Sequence, residues 1–407
     1  MEESVGQERP KLRIFEAVPS RVKWLIYLSS FGTVGYGYFF IAVSAYLIEA
    51  GLTSSDVGLI LGVNGLTAVL FAVPIGRLAD KRGRRYVLIF GLAATTPILL
   101  VYAFTIEIVY LVAASVLAGL TEAAFMGSWN ALIADQTTVE NRSEAFSLSF
   151  IVGNASFGIG FALPLIFPPL SSWTGMSSQT VHEYAFIGVA LLALISPIAL
   201  WYLLRDYKED LKPSKRFLSR ASRGPLLKFS GINSLIGLGA GFIIPLIPTW
   251  LYLKFNVSDS LSGPLLAVSN ITIGLAAIVS SRMAKRYGIV RAIVLTQGLS
   301  TVFMLSLAYV PGAAIAAGVY LVRAALMNMA SPLADSFLMG IVLKEERGVA
   351  SAVNSVIWRL PNSASTIVGG ILLDSGRYDV PFLIATGFYV VAIVLLYAVF
   401  KDVKPKT

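Results

Sequence analysis

Twelve long apolar stretches follow one another along this 407-residue chain, and each is long enough to cross a lipid bilayer as a helix. Hydrophobic residues make up 56% of the chain and charged residues 14%, a composition typical of membrane proteins rather than soluble domains. Inside a bilayer, backbone N–H and C=O groups must be paired within helices or closed barrels. The sequence therefore predicts an all-α integral membrane protein with twelve transmembrane helices. They are expected near residues 24–48, 55–75, 87–105, 108–133, 143–167, 183–204, 229–253, 261–281, 291–310, 312–343, 348–373 and 380–400.

The positive charges are sorted to one side of these predicted helices. Of 32 lysine and arginine residues, 28 fall in the two tails and the connections that share their side. Only Lys254 and Arg377 fall on the other side, and two arginines lie within predicted helices. By the positive-inside rule, both termini are expected to be cytoplasmic in a multi-pass protein of the plasma membrane. We interpret the net charge of +9 as a topology signal with membrane lipids as partners, not as a nucleic-acid site.

Residues 205–228 differ from everything around them. They are polar, contain Pro213 and Pro225, and carry eight cations against three acids. We interpret them as a cytoplasmic linker between two six-helix bundles. The predicted organisation is a cytoplasmic tail at 1–23, a bundle at 24–204, the linker at 205–228, a bundle at 229–400 and a cytoplasmic tail at 401–407.

The two predicted bundles are copies of each other at an offset of 205 residues. Matching residues include Gly58 and Gly263, Gly83 and Gly288, and Arg142 and Arg347. A repeat of six helices has even parity, so the two copies run parallel and are related by an axis along the membrane normal. This arrangement is linked to transporters with a substrate site near the midplane between the halves.

The connection between the second and third predicted helices reads GRLADKRGRR, residues 76–85. Its spacing, G-x-x-x-D-x-x-G-R-R between two membrane spans, resembles the loop between helices 2 and 3 of the major facilitator superfamily of transporters. The resemblance implies two pseudo-symmetric six-helix bundles around a central cavity that opens alternately to each side. It also implies a protein that acts as a monomer, and we expect no cofactor and no metal.

The same resemblance implies a cytoplasmic gate. Its residues would be Gly76, Asp80, Gly83, Arg84 and Asp135. The Asp80 carboxylate would lie near the N-terminus of helix 11, where the helix dipole favours a negative charge. Arg84 could reach Asp135 at the end of helix 4 and couple the gate to a cavity helix. The alternative for Asp135 is a carboxylate that simply meets water.

Ionisable residues inside predicted membrane helices are costly and usually functional. Four stand out here: Glu122 in helix 4, Arg323 and Asp335 in helix 10, and Arg359 in helix 11. Glu122 could pair with either arginine, and its protonation would release that arginine to bind an anion. One alternative is a fixed bridge that holds the halves together. Another is that Arg359 caps carbonyls freed where the following proline breaks helix 11.

Other polar and aromatic residues are predicted to line the cavity. They are Asn130, Asn154, Trp129, Tyr36 and Trp250, with Tyr38 beside them. The asparagines would make the cavity asymmetric, because the repeat offset pairs Asn154 with Arg359 and Asn130 with Asp335. The alternative is that the amides join helices and the aromatic rings pack in the core.

The sequence thus favours a secondary transporter that moves a small organic solute, anionic or amphipathic, by alternating access with proton coupling. An ion-independent facilitator is the nearest alternative. A non-transporting sensor would need a large output domain, and a membrane enzyme lacks a visible catalytic or metal-ligand cluster. The single histidine, His182, is predicted to be an exposed residue of the 168–183 connection.

Overall fold

The computed structural model describes residues 15–138, 140–207, 219–343 and 346–403. These residues form twelve long helical segments and no strand, as the sequence predicts. The segments are α1 (Ser20–Glu49), α2 (Ser54–Arg82), α3 (Arg84–Phe104), α4 (Ile108–Asp135), α5 (Arg142–Thr174), α6 (Ser178–Leu203), α7 (Arg220–Phe255), α8 (Asp259–Tyr287), α9 (Ile289–Ala308), α10 (Ala313–Ile341), α11 (Arg347–Asp374) and α12 (Val380–Phe400).

Ten of the twelve segments are long and apolar enough to cross a membrane within the described parts of the chain. The other two, α8 and α11, are 29 and 28 residues long and lie over two of the apolar stretches predicted from the sequence. Both pack against the opposite half of the protein.

The connection predicted at 76–85 is much shorter than expected. Helix α2 continues to Arg82 and α3 begins at Arg84, so that Gly83 alone separates them. Its φ of 102° is a conformation that favours glycine. The predicted apolar stretch ends at residue 75, whereas α2 continues to Arg82 and so includes charged residues.

Residues 208–218 of the predicted linker at 205–228 lie outside the described residues. Most of its described part is helical, because α6 ends at Leu203 and α7 begins at Arg220. The predicted polar segment therefore overlaps the first two turns of α7.

The internal repeat is visible in the helix bounds themselves. Adding 205 to the bounds of α2, 54 and 82, gives 259 and 287, which are the bounds of α8. Gly288 follows α8 with a φ of 81°, as Gly83 follows α2. Arg142 donates to the Ala134 carbonyl at 3.2 Å, and its repeat mate Arg347 donates to the Met339 carbonyl at 2.9 Å. The repeated sequence therefore forms a repeated structure.

The buried apolar side chains form three cores, and their distribution defines the state of the protein. We call the face where α1 begins and α12 ends the terminal face, and the opposite face the distal face. One core lies at the terminal face of the first half and includes Leu25 and Leu132. A second lies at the terminal face of the second half and includes Phe229 and Phe337. The third lies toward the distal face and joins both halves. The halves are therefore packed together distally and are separate at the terminal face.

Two repeat-related glycines bring the halves together distally. A Cβ on Gly58 of α2 would lie 2.8 Å from the Thr366 carbonyl oxygen of α11. A Cβ on Gly263 of α8 would overlap the Phe161 carbonyl oxygen of α5. Since 161 plus 205 is 366, the two contacts are equivalent under the repeat. Only glycine allows the backbones to approach this closely.

Candidate functional site

A large cavity lies between α1, α4 and α5 on the side of the terminal face. Its volume is about 1200 Å³. Three predicted residues, Trp129, Asn130 and Asn154, line it. The remaining walls are a mixture of aromatic, hydroxyl and small side chains, including Phe125, Phe146, Phe150, Phe157, Ser29, Ser30, Thr33, Ser143, Ser147 and Ser149. The cavity can therefore accommodate an organic molecule with both apolar and hydrogen-bonding groups.

Trp129 is held in a defined orientation on this wall. Its indole Nε1 donates to Ser149 Oγ at 2.9 Å, which satisfies its one donor. Its ring stacks on Phe125 with centroids 5.2 Å apart. Asn154 Nδ2 donates to the Phe150 carbonyl at 2.8 Å, which leaves its side-chain oxygen available to the cavity. The cavity wall thus presents an aromatic surface beside polar atoms.

Glu122 of α4 and Arg359 of α11 form an ion pair between the two halves. Arg359 Nη2 donates to Glu122 Oε1, and Nη1 lies 2.9 Å from Met126 Sδ. The carboxylate side chain is 17% exposed and the guanidinium 28%, so water reaches both. The sequence left two partners open for Glu122, Arg323 and Arg359, and the structure pairs it with Arg359. Helix α11 is continuous through Pro361, so the predicted break is wrong.

Two further side chains surround the Glu122 carboxylate. Tyr36 Oη lies 3.0 Å from Glu122 Oε2 and 3.2 Å from Asn64 Oδ1, so it can donate to either oxygen. Tyr36 and Glu122 line a side pocket of about 210 Å³. Thr33 and Phe125 line both this pocket and the large cavity, so the two spaces adjoin. A proton or polar solute in the cavity therefore has a short path to Glu122.

Arg323 does not join this site, which corrects one alternative from the sequence. It is 4% exposed inside the second half, and its Nη2 donates to Tyr389 Oη at 2.9 Å. The guanidinium also lies over the Tyr389 ring, 5.8 Å from the centroid. The position of a residue along a helix does not determine the direction in which its side chain points.

Two other candidates are also separated from the cavity. Trp250 is fully buried in the distal core, with Phe382 and Phe255 packed edge-on against it. Tyr38 is fully buried as well, and its ring packs against Phe186 at a tilt of 52°. The aromatic rings are core residues here, as the alternative reading of the sequence allowed. Asp335 is exposed on α10, and no contact with Glu122 or Arg359 is seen among the described residues.

The expected contact between Arg84 and Asp135 is present. Arg84 Nη1 donates to Asp135 Oδ2 at 2.8 Å, and Nη2 lies 3.5 Å from Asp80 Oδ1. Tyr207, which follows α6, donates to the same Asp135 oxygen at 2.8 Å. No sequence pattern marks Tyr207, because a single chain does not show which loop residue reaches a distant carboxylate. These contacts join the ends of α2, α3, α4 and α6 within one half. A Cβ on Gly76 would meet open space, so the structure gives no steric reason for a glycine at that position.

His182 is buried, and the prediction of an exposed loop residue is wrong. It lies in the second turn of α6 with 1% of its surface exposed. Its Nδ1 lies 2.8 Å from the Ser178 carbonyl oxygen, and its Nε2 lies 2.8 Å from Asp259 Oδ2 at the start of α8. The ring stacks on Tyr46 of α1 at 3.7 Å. The polar sequence around His182 suggested a loop, whereas Ser177 caps a helix that carries the imidazole inward.

No group of three or more His, Cys, Asp and Glu side chains that could hold a metal ion is found in the described parts of the chain. What the described site contains is an ion pair between two halves, a hydroxyl and an amide beside it, and an adjoining aromatic cavity. Such a site can bind a solute and can gain or lose a proton at the carboxylate.

A family model described as Major Facilitator Superfamily matches residues 24–236 and 229–407. The chain is 21% identical over 389 residues to the quinolone resistance protein NorA of Staphylococcus aureus, covering 89% of this chain and 92% of that protein. It is 26% identical over 263 residues to the tetracycline resistance protein, class H, of Pasteurella multocida, covering 62% and 63%. It is 31% identical over 120 residues to the inner membrane transport protein YajR of Escherichia coli, covering 30% and 25%. The matches thus span less than two thirds of the latter two relatives.

Solved structures show the same fold. The nucleoside transporter NupG superposes with a TM-score of 0.74 at 16% identity, covering 94% of this chain and all of that one. A bacterial homologue of the human lysosomal transporter Spinster, in an inward-facing and unoccupied conformation, superposes with a TM-score of 0.71 at 16% identity, covering 93% and 96%. At these identities the similarity concerns the arrangement of helices.

Proposed function

The chain belongs to the Major Facilitator Superfamily of membrane transporters, which are not enzymes, and we propose that it couples proton movement to transport of a small organic solute. The observation that carries the proposal is the Glu122–Arg359 ion pair, which joins the halves beside the cavity. In this mechanism the halves rock against each other and expose the cavity alternately to the two faces.

Glu122 is the residue proposed to carry the proton. While it is ionised, its carboxylate holds Arg359 and so links α4 to α11. Protonation removes the negative charge, and the attraction between the two side chains falls accordingly. Arg359 is then free to contact a solute, and the two helices can separate. The Tyr36 hydroxyl can accept from a protonated Glu122 or donate to an ionised one, so it stabilises both forms.

The proposed solute is amphipathic, with an apolar or aromatic body and a polar or anionic group. The stacked Trp129 and Phe125 rings and the exposed amide oxygen of Asn154 support the first part. The Arg359 guanidinium supports the second, since Arg323 lies elsewhere and no longer supports an anion site. The names of two relatives, which refer to tetracycline and quinolone resistance, add these amphipathic compounds to the candidates.

We also propose an orientation and an assembly. The excess of lysine and arginine at the terminal face supports a cytoplasmic position for that face in a plasma-membrane protein. The state described above is then open to the cytoplasm and closed outside. We propose that one chain suffices for transport, because the cavity and its ion pair are formed within a single chain.

The proposal is tested by proton flux in liposomes. The purified protein is reconstituted with a pH-sensitive dye inside, and a panel of sugars, nucleosides, organic anions, amino acids, lipids and amphipathic drugs is added. Glu122→Gln is compared with the wild type, and Glu107→Gln serves as the matched control. Glu107 precedes the same helix and is exposed to solvent.

We expect a solute-dependent proton flux in the wild type and Glu107→Gln that is lost in Glu122→Gln. Proton flux that persists in Glu122→Gln would refute the assignment to this carboxylate. Uptake of a solute without proton flux in the wild type would favour a facilitator in which the ion pair is a fixed bridge. A panel that produces neither flux nor uptake would contradict transport of these solute classes.

A further inference from the structure

The His182–Asp259 contact lies at the distal face, well away from Glu122, and crosses from one half of the protein to the other. Asp259 is 3% exposed, and its backbone N–H donates to Glu49 Oε1 at 3.1 Å. The Thr249 hydroxyl makes a second polar contact across the halves, to the Ser44 carbonyl. The contact therefore belongs to the closed side of the protein, and it must break whenever that side opens.

The geometry around the imidazole fixes where its protons are. Nδ1 lies 2.8 Å from the Ser178 carbonyl oxygen, which can only accept, so Nδ1 carries a hydrogen. A neutral imidazole with a hydrogen on Nδ1 has only a lone pair on Nε2. Nε2 nevertheless lies 2.8 Å from Asp259 Oδ2, a hydrogen-bonding distance. Two acceptors at that distance require a proton between them.

We propose that His182 and Asp259 form a proton-binding latch at the distal face. One proton, shared between Nε2 and Oδ2, holds the two halves together, and its loss to the distal solvent allows that face to open. The pair is either an imidazolium beside a carboxylate or an imidazole beside a carboxylic acid. In both forms it holds one proton more than a neutral imidazole and a carboxylate that are apart. This inference rests on the proposed alternating opening, but not on Glu122 as the coupling residue.

Acidic and aromatic side chains surround the pair. From α1, the Glu49 carboxylate faces the pair, Tyr46 stacks on the imidazole, and the Tyr38 hydroxyl donates to the His182 carbonyl at 3.4 Å. From α5, Phe167 packs edge-on against the ring. On α6 itself, Glu183 is the next residue. The charged groups named here are all acids, so no cation among them replaces the shared proton.

Thermodynamic linkage then gives the sign of the effect. The closed state binds a proton that the open state releases, so raising the pH must favour the open state. If one proton is involved, the ratio of open to closed molecules rises by at most tenfold for each pH unit. The effect ends where the separated imidazole itself becomes protonated, and a scan from about pH 7 to about pH 9 covers the range in which an imidazole in water is mainly neutral.

The test measures the opening of the distal face directly and needs no substrate. The chain contains no cysteine, so Met176→Cys and Ser375→Cys introduce one spin label on each half near the distal face. Both positions are exposed, in the α5–α6 and α11–α12 connections. Distances between the labels are measured across the pH range by double electron–electron resonance. All samples carry Glu122→Gln, which removes the proposed coupling carboxylate from the titration.

Asp259→Asn is the decisive variant. The asparagine amide can donate to Nε2 of a neutral imidazole, so the hydrogen bond no longer needs the extra proton. We expect the fraction of long distances to rise with pH when His182 and Asp259 are intact, and to lose that dependence in Asp259→Asn. His182→Gln, whose amide donates to the Asp259 carboxylate, should have the same effect if Asp259→Asn fails to fold. Glu49→Gln and Glu183→Gln, which remove the two acids beside the pair, are the matched controls and should keep the dependence.

Two results would overturn the proposal. One is a pH dependence that survives in Asp259→Asn or His182→Gln. The other is an absence of any pH dependence with the pair intact. Because the readout is a distance in the absence of solute, failure here is distinguishable from failure of solute-coupled proton flux in liposomes.

Discussion

Gly58 and Gly263, which lie 205 residues apart, make the same contact on opposite sides of the protein. Each brings the first turns of its helix against a carbonyl of the other half, Gly58 against Thr366 and Gly263 against Phe161. The closed distal face is thus built on two symmetric backbone contacts. Two side-chain contacts also join the halves: the Glu122–Arg359 ion pair and the His182–Asp259 contact. Neither has an equivalent under the 205-residue repeat.

Gly263→Ala should oppose closure of the distal face. The new Cβ would overlap a backbone oxygen that cannot rotate away, so the helices must move apart. Overpacking of this kind costs about 1–3 kcal/mol, enough to shift a two-state equilibrium by about fivefold to more than a hundredfold. Distances between spin labels at residues 176 and 375 should lengthen. Gly318→Ala on α10, where a Cβ meets open space, is the control and should leave them unchanged. Equal behaviour of the two variants would contradict the role of the close approach.

Glu122→Gln and Arg359→Gln should each lower thermal stability. The double variant should lose less stability than the sum of the two single losses. Removing one partner leaves the other charge without its counterion, at a cost of about 1–3 kcal/mol. Removing both leaves two amides that can bond to each other. A double-mutant cycle on melting temperatures in detergent should therefore show coupling. Simple additivity would mean that the two side chains do not interact in solution.

Arg323→Met and Arg359→Met should separate stability from solute binding. Arg323 is buried and bonds to the Tyr389 hydroxyl, so its loss leaves that hydroxyl unpaired and lowers the free energy of unfolding by about 1–3 kcal/mol. Solute affinity should change little, since Arg323 lies away from the cavity. Arg359→Met should instead weaken binding of an anionic solute identified in the liposome screen. Ligand-induced shifts in melting temperature measure both quantities, and a larger loss of affinity in Arg323→Met would contradict this division.

Protonation of Glu346 in acid should make the second half less stable. Hydrogen bonds from the Ser222 hydroxyl, and then from the Ser219 N–H and hydroxyl, hold the pKa of its carboxyl below the usual value. A lowered pKa in the folded state contributes stability above the unfolded value, about 4.3, and loses it as the pH falls through the folded pKa. Glu346→Gln should therefore lower the melting temperature near pH 7 and make less difference once the pH falls below the folded pKa.

The control for this pH dependence is Glu140→Gln, in the exposed α4–α5 connection. It should lower the melting temperature less than Glu346→Gln at neutral pH. A difference between Glu346→Gln and the wild type that is the same at both pH values would show that the carboxylate charge is not involved.

The sequence predicted the architecture well, because membrane helices must be long, apolar and internally hydrogen-bonded. The twelve helices, the family and the 205-residue repeat follow from patterns that are local or periodic. The predicted contact between Arg84 and Asp135 followed from the motif. The short turn at Gly83 was missed because hydropathy marks where the apolar stretch ends, and the helix continues beyond it with Lys81 and Arg82.

The parts that could not be predicted depend on direction and on contacts between distant segments. Arg323 and Arg359 lie at similar positions along their helices, yet one points into its own half and the other contacts Glu122. His182 lies in a polar segment, and only the packing of α6 against α8 brings it to Asp259. A single sequence contains no signal for such pairs.

The most direct test of the proposed coupling is solute exchange by Glu122→Gln without a proton gradient. Liposomes are loaded with unlabelled solute from the panel, and entry of labelled solute is followed at equal pH on both sides. If Glu122 carries the proton, the variant should exchange solute at a rate comparable to the wild type while solute-driven proton flux is absent. Loss of exchange together with proton flux would instead mean that Glu122 holds the transport site in shape. Retention of proton flux would contradict the central claim outright.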